Sequence, residues 1–209
     1  MGLLSAEQIQ TLLGRLKKNG MLASYYPTAQ EAAAAILLDI PHDATVGVGG
    51  SITIRVMGLP EALIIRGQKV YDHWKEETKK ARHALGRLQQ HADYFLTSTN
   101  ALTMNGELVN IDASGNRVTS MIFGPAHVIV VAGVNKIVPD VAAGLDRVKA
   151  IAAPKNCQRR QDRTPCAQDL VCHDCDSPHR LCRVTTIIER KPYGLETLSV
   201  VLVGEEMGY

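Results

Sequence analysis

Aromatic side chains are scarce in this sequence, at 4% of 209 residues, too few for a stacking platform on which nucleic-acid bases could lie. No sign of charge dominates either: 23 Lys and Arg stand against 21 Asp and Glu, for a formal net charge of +2. That balance gives no general electrostatic reason to expect nucleic acid or an anionic membrane as partner. Long apolar runs are missing, and nothing approaches the ~20 residues that cross a bilayer. The start, Met1-Gly2-Leu3-Leu4-Ser5, has neither the basic opening nor the apolar stretch of a secretory signal. Its serine falls one place short of the myristoylation pattern that Gly2 would begin. The expectation is a cytoplasmic protein without a membrane span. The five cysteines make a poor disulfide framework, being odd in number and crowded between Cys157 and Cys182.

What is present is the material of a folded domain: 45% hydrophobic and 21% charged residues, in a chain long enough for one buried core. Ser5-Ala6-Glu7-Gln8 and Thr28-Ala29-Gln30-Glu31 are capping boxes that open two helices, and Gly20 suits the left-handed stop of the first. Strand and helix then alternate. Short strands are expected near 21–26, 45–48, 69–72 and 93–97, with helices over 51–57, 59–65 and 75–90. Asn105-Gly106 and Ser114-Gly115-Asn116 are turn sequences between extended runs, so residues 101–118 read as hairpins. Residues 128–132 form a continuous apolar run suited to burial on both faces of a parallel sheet. A helix over 140–153 is expected to stop before Pro154. Strands near 185–190 and 198–203 close the chain. Between the last helix and those strands, residues 155–183 carry all the cysteines and almost no apolar periodicity, and they read as an irregular insertion in a single α/β domain.

Cys166, Cys172, Cys175 and Cys182 make a C-x5-C-x2-C-x6-C pattern within seventeen residues. Four thiolates in a segment too polar to build its own core can be ordered by one metal centre, whose binding then supplies local folding free energy. Tetrahedral zinc takes four such ligands, usually as two close pairs, whereas iron–sulfur clusters accept more varied spacing. Only Cys172 and Cys175 form a close pair. An iron–sulfur centre is therefore favoured, with zinc as the alternative and chance clustering as the bland one. Arg159, Arg163, Arg180 and Arg183 could offset the thiolate charge. His173 and His179 read as surface residues, and Cys157, standing apart, reads as an ordinary semi-buried cysteine.

Three polar loops follow expected strands. Gly49, Gly50 and Ser51 run from a strand into a helix without matching the P-loop or dinucleotide spacing. Such glycines either admit a ligand to the backbone or only permit a tight turn. Thr97-Ser98-Thr99-Asn100 ends a second strand, where ligands of open α/β sheets collect. Asn105, Gly106 and Glu107 follow, and Glu107 and Asp112 are the carboxylates placed to serve as acid, base or nucleophile. Gly133-Val134-Asn135-Lys136 is the third loop, in which Lys136 could meet a phosphate or carboxylate or be a surface lysine.

Taken together, Gly47-Val48-Gly49-Gly50-Ser51, Ser98-Thr99-Asn100-Ala101-Leu102-Thr103, Asn105-Gly106-Glu107-Leu108-Val109-Asn110, Gly133-Val134-Asn135-Lys136 and the terminal cysteine region resemble the LUD domain family. This is the lactate-utilisation family, which includes one of the subunits of the bacterial lactate-oxidising complex, and the cysteine region resembles a short, cysteine-bearing branch of it. The resemblance runs from the first helix to Val203. It implies a Rossmann-like three-layer α/β sandwich of the NagB/RpiA/CoA-transferase type. It also implies an anion cradle at Gly49, Gly50 and Ser51, with further ligand contacts from Asn105, Gly106, Glu107, Gly133 and Asn135; it matches no catalytic carboxylate, and Glu107 is the catalytic candidate on its own placement. Three functions follow as expectations. The first is an accessory or electron-transfer subunit of an organic-acid oxidation system, with a [4Fe–4S] cluster on the four cysteines, a small anionic ligand and partner subunits. The second is a small-molecule enzyme of CoA-transferase or sugar-phosphate isomerase type with a structural zinc. The third is a non-catalytic assembly factor.

Overall fold

Ser5 caps the first helix as its spacing predicts: its hydroxyl accepts the Gln8 amide while Gln8 reaches back to the Ser5 amide. The computed structural model describes residues 4–209; residues 1–3, Gly2 among them, lie outside the described residues. Helix α1 (Ala6–Lys18) buries Ile9, Leu12, Leu13 and Leu16 and ends at Gly20, whose φ of +78° is a conformation glycine adopts at little cost. Strand β1 (Leu22–Tyr26) follows, and Thr28 and Glu31 close the second capping box on α2 (Ala29–Asp39). Next come β2 (Val46–Val48), α3 (Ile52–Val56), α4 (Leu59–Ile65), β3 (Val70–Asp72), α5 (Lys79–Leu88) and β4 (Tyr94–Ser98). The second half holds β5 (Ala101–Thr103), β6 (Leu108–Asp112), α6 (Asn116–Ile122), β7 (His127–Gly133), β8 (Ile137–Val138), α7 (Val141–Arg147), α8 (Ala153–Arg160), α9 (Cys166–Asp169), β9 (Val184–Ile188) and β10 (Thr197–Val203).

Six strands form one wholly parallel sheet in the order β1-β10-β7-β4-β2-β3. Its centre is buried on both sides, which is why β7 is apolar at successive positions instead of at alternate ones. Val128, Val130 and Ala132 face α1, while Ile129 and Val131 face α2, α3 and α4. The result is a Rossmann-like three-layer α/β sandwich. No helix among the described residues is long and apolar enough to cross a membrane.

Two features depart from the sequence expectation. The first is a separate four-stranded sheet, β8-β5-β6-β9, packed over the α1 side of the large one. Asn105-Gly106 does turn the β5–β6 hairpin, but Ser114-Gly115-Asn116 starts helix α6 and not a second hairpin. Val118 and Met121, three residues apart, are both buried there. That is helical spacing, but two residues are too few to show a period, and the turn residues before them read as a hairpin. The second concerns Pro154, which does not end its helix. Residues Val148–Ala152 widen into a π turn between α7 and α8, so one helical rod runs on to Arg160. Proline lacks an amide proton and crowds the carbonyl four residues back, and a π turn re-phases the hydrogen bonds at that point. The irregular part of the cysteine segment therefore begins after Arg160.

Helix α7 lies close against the small sheet at Gly144, where an added Cβ would come 2.9 Å from Cγ2 and 3.3 Å from Cβ of Val109. Gly144→Val is expected to lower unfolding free energy by about 1–3 kcal/mol through overpacking. A urea midpoint equal to wild type would show that the contact yields freely.

Candidate functional site

All six strands of the large sheet point the same way, so the loops after β2, β3, β4 and β7 gather at one edge. There they enclose a polar cleft made of two adjoining hollows, about 110 and 80 Å³, both bounded by Gly50, Asn100, Asp112, Arg117, Asn156 and Arg159. Gly50 permits the close approach of the Trp74 ring, since a Cβ there would sit 2.9 Å from its Nε1. Arg55 and Arg159 both stack on that ring, 4.1 and 4.4 Å from its centroid. Arg55 also holds Asp72, with Nη2 at 2.6 Å from Oδ1. Burial alone would raise the Asp72 pKa, but the bonds from Arg55 and the Trp74 amide outweigh it and keep the group below the ordinary carboxylate value.

Lys136 forms the floor. The short 3-10 turn after β7 directs its side chain under β4 and α3, where only 3% of the residue is exposed. Its Nζ donates to Thr53 Oγ1 at 2.9 Å, Ser98 Oγ at 2.8 Å and the Thr99 carbonyl at 3.2 Å. Among the described residues it has no carboxylate partner. Burial, reinforced by Arg147 and Arg117, pulls its pKa from 10.5 down to about 7.

Arg117, on α6, fixes the wall between the two sheets. Its Nε donates to Asp112 at 3.1 Å, Nη1 to the Ser98 carbonyl and Asn110 Oδ1, and Nη2 to Asn100 Oδ1 and the Ile111 carbonyl. Arg147 donates from Nε to the Asn135 carbonyl at 3.0 Å and from Nη1 to the Asn100 carbonyl at 2.5 Å. It too lacks a carboxylate partner among the described residues. The cleft is thus a cationic pocket in which one carboxylate, Asp112, is already paired.

The residues expected from sequence divide between this cleft and other places. Gly50 and Ser51 line it, and the Ser51 hydroxyl accepts the Ile54 amide as the cap of α3. Gly49 lies just behind, its amide bonded to the Leu96 carbonyl as an extension of strand pairing. Gly133 and Asn135 hold the last residues of the chain: a Cβ on Gly133 would meet the Glu205 carbonyl and Met207 amide at 2.6 Å, and Asn135 bonds Met207 and Gly208. This seats Tyr209 in the cleft wall, where its hydroxyl accepts from Arg159 Nε at 2.8 Å. Asn105, Gly106 and Glu107 are elsewhere. They form the β5–β6 turn against α1, where Arg15 and Asn19 donate to Asn105 and the Thr103 hydroxyl donates to the Glu107 carboxylate. None of the three lines the cleft.

Arg117 and Arg147 were not singled out by the sequence. Arg117 sits in the segment that reads as a hairpin, and Arg147 in a helix whose apolar stripe draws the attention. Lys136 was legible only as a lysine after a strand; its burial is a tertiary fact.

The four patterned cysteines surround a second, smaller pocket together with Cys157, Thr164, His173 and Arg180. All five thiols are free. Among the described residues no three His, Cys, Asp or Glu side chains stand at metal-ligating separations. Burial, with nearby Cys172, Cys166 and Cys175, raises the Cys182 pKa against the opposing pull of Arg180. Arg180 Nε is buried at this pocket without an acceptor. Leu181, Cys182 and Ala153 belong to the walls of both this pocket and the cleft.

A parallel sheet with helices on both faces and a polar cleft across the carboxyl ends of its middle strands is the small-molecule-binding architecture of open α/β proteins. The model of the LUD domain matches residues 9–203, and the chain belongs to the LUD domain family. No curated protein matches it. Among solved structures it is similar to that of a DUF162 family protein from Deinococcus radiodurans, at 18% identity and a TM-score of 0.56, covering 96% of this chain and 99% of that one. At that identity the likeness concerns the fold.

Proposed function

We propose that this protein serves the use of lactate or a related organic acid, with the cleft taking a small carboxylate and the cysteine pocket holding an iron–sulfur centre. The reading rests on one observation above the others: Cys182 stands in the wall between the cationic cleft and the cysteine pocket. Membership of the LUD domain family supports the organic-acid part. A buried cation lining the cleft without a carboxylate partner among the described residues, Lys136, with Arg147 behind it, supports an anionic ligand, because a charge held away from water is stabilised by an opposite one.

The donor set suits a metal centre. Cys166, Cys172, Cys175 and Cys182 would hold it, and deprotonation of their thiols would give Arg180 Nε the acceptor it lacks. Drawing the sulfurs from their present spacing to ligating distance is a local rearrangement within residues 161–183, a segment with little regular structure to oppose it. When bound, an iron–sulfur cluster would supply one-electron chemistry. The chain's own residues bind and orient. Trp74 and Arg159 form one side of the cleft, Gly50 lets the Trp74 ring close against the backbone there, and Arg117 keeps Asp112 from opposing an anion. The partners would be the other subunits of an organic-acid oxidation system, and the cytoplasm is the compartment in which such thiols persist reduced.

Protein purified without oxygen is expected to carry iron and acid-labile sulfide and to absorb near ~400 nm, whereas zinc is colourless and redox-inert. Stoichiometric zinc without iron would end the electron-transfer reading and favour a structural metal in a small-molecule enzyme or an assembly factor. Cys172→Ser is expected to release the metal and to speed proteolysis within residues 161–183 while the sheet stays protected. Equal nicking of variant and wild type would count against a metal that orders this segment.

A further inference from the structure

Lys136 is a buried amine wired as an ammonium ion but lacking a counter-charge. Thr53 Oγ1 directs its own proton to the Met207 carbonyl at 3.2 Å, and Ser98 Oγ can direct its own to the Thr99 carbonyl at 3.3 Å. Both hydroxyls therefore present lone pairs to Nζ, and with the Thr99 carbonyl they match the three protons of the charged form. What the site does not supply is negative charge. Around the amine stand Arg117 from α6, Arg147 from α7 and Arg159 from α8, with Asp112 from β6 already bonded to Arg117 and the Tyr209 hydroxyl bonded to Arg159.

We propose that Lys136, through its unbalanced charge and not through a free N–H, draws the carboxylate of a small 2-hydroxy or 2-oxo acid into the cleft above it, and that the acid enters together with a proton taken up by the Lys136 amine. The 2-hydroxy or 2-oxo class rests on the organic-acid reading above; the anion rests on the geometry, and the proton on the burial of the amine beside Arg117 and Arg147. With the amine titrating near 7 in the free protein, an anion close by restores the charged form, so binding above that pH consumes a proton. His73, in the adjoining hollow, does not account for a decline above pH 7: burial, the largest cause, lowers its pKa below the ordinary 6.5, to the acid side of that decline.

The test is a calorimetric titration of the full-length protein with L-lactate, pyruvate and inorganic phosphate between pH 6 and 9, with iron measured in the same preparations. The expected result is binding of pyruvate or lactate whose affinity is level up to pH 7 and then falls by about tenfold per pH unit. Lys136→Met should abolish it, by at least a hundredfold, and Lys136→Arg should retain it without the decline above pH 7. Undiminished binding by Lys136→Met, a pH-independent wild-type affinity, or binding of phosphate to the exclusion of both acids would each overturn the proposal. Iron content separates the two readings. Acid binding by iron-free protein would leave the Lys136 assignment standing while the metal reading fails, and iron-replete protein that binds neither acid would do the reverse.

Discussion

Arg117→Met is expected to destabilise the protein by about 3–5 kcal/mol, the usual cost of removing one partner from a buried ion pair. The side chain is only 8% exposed as a residue, and its guanidinium serves five acceptors on β4, β6 and the turn between β4 and β5. Methionine fills much of the volume but leaves the Asp112 carboxylate with only the Val118 amide at 3.3 Å, and removes one donor from each of the Ser98 and Ile111 carbonyls. Because those acceptors belong to both sheets, the loss should appear as a lowered urea midpoint of the whole domain and not as local fraying. Arg117→Lys keeps a charge but not the fork, and should recover part of the loss. A change below about 1 kcal/mol would show that water replaces the guanidinium easily, and that the network does not join the sheets.

Stability should rise with pH across the neutral to alkaline range, by an amount on the order of 5 kcal/mol at most, and Lys136→Met should abolish that rise. In the folded protein the Lys136 amine titrates at about 7, in the unfolded chain near 10.5. Below pH 7 both states hold the proton, and the folded state bears the full cost of burying the charge. Between the two values only the unfolded chain holds it, so unfolding free energy climbs with pH at up to about 1.4 kcal/mol per unit and levels off above 10.5. Cys157 acts in the opposite sense at the alkaline end, since burial pushes its thiol up to about 12. The comparison is therefore wild type minus variant, by denaturant unfolding at pH 6, 7.5 and 9. Lys136→Met should be the more stable protein at pH 6, with the gap narrowing by about 3 kcal/mol by pH 9. A constant gap would mean that the amine keeps its ordinary titration. Gained stability with lost acid binding would mark a residue kept for recognition and not for folding.

The elements that local chemistry specifies were readable from the chain. Both capping boxes, the stop at Gly20, the helix Leu59–Ile65 and the doubly buried β7 follow from side chains within a few positions of one another. The edge at which the polar cleft opens was readable too, because polar loops after parallel strands share one end of the sheet. The composition of the cleft was not. Asn105, Gly106 and Glu107 have the look of a ligand loop, yet the hairpin that carries them pairs within the small sheet and packs on α1. Arg117 depends on α6, a seven-residue helix whose two buried apolar residues are too few to show a period.

By itself the sequence determined the class of fold, the alternation that builds a parallel sheet, the family, and a quartet of cysteines set close enough to share one pocket, for these depend on neighbours along the chain. Only the tertiary structure decided which cations meet in the cleft, that Lys136 lies beneath it with no carboxylate, and that Cys182 separates the two pockets. Burial and long-range charge are properties of what surrounds a residue in space, and strands distant in sequence supply those surroundings.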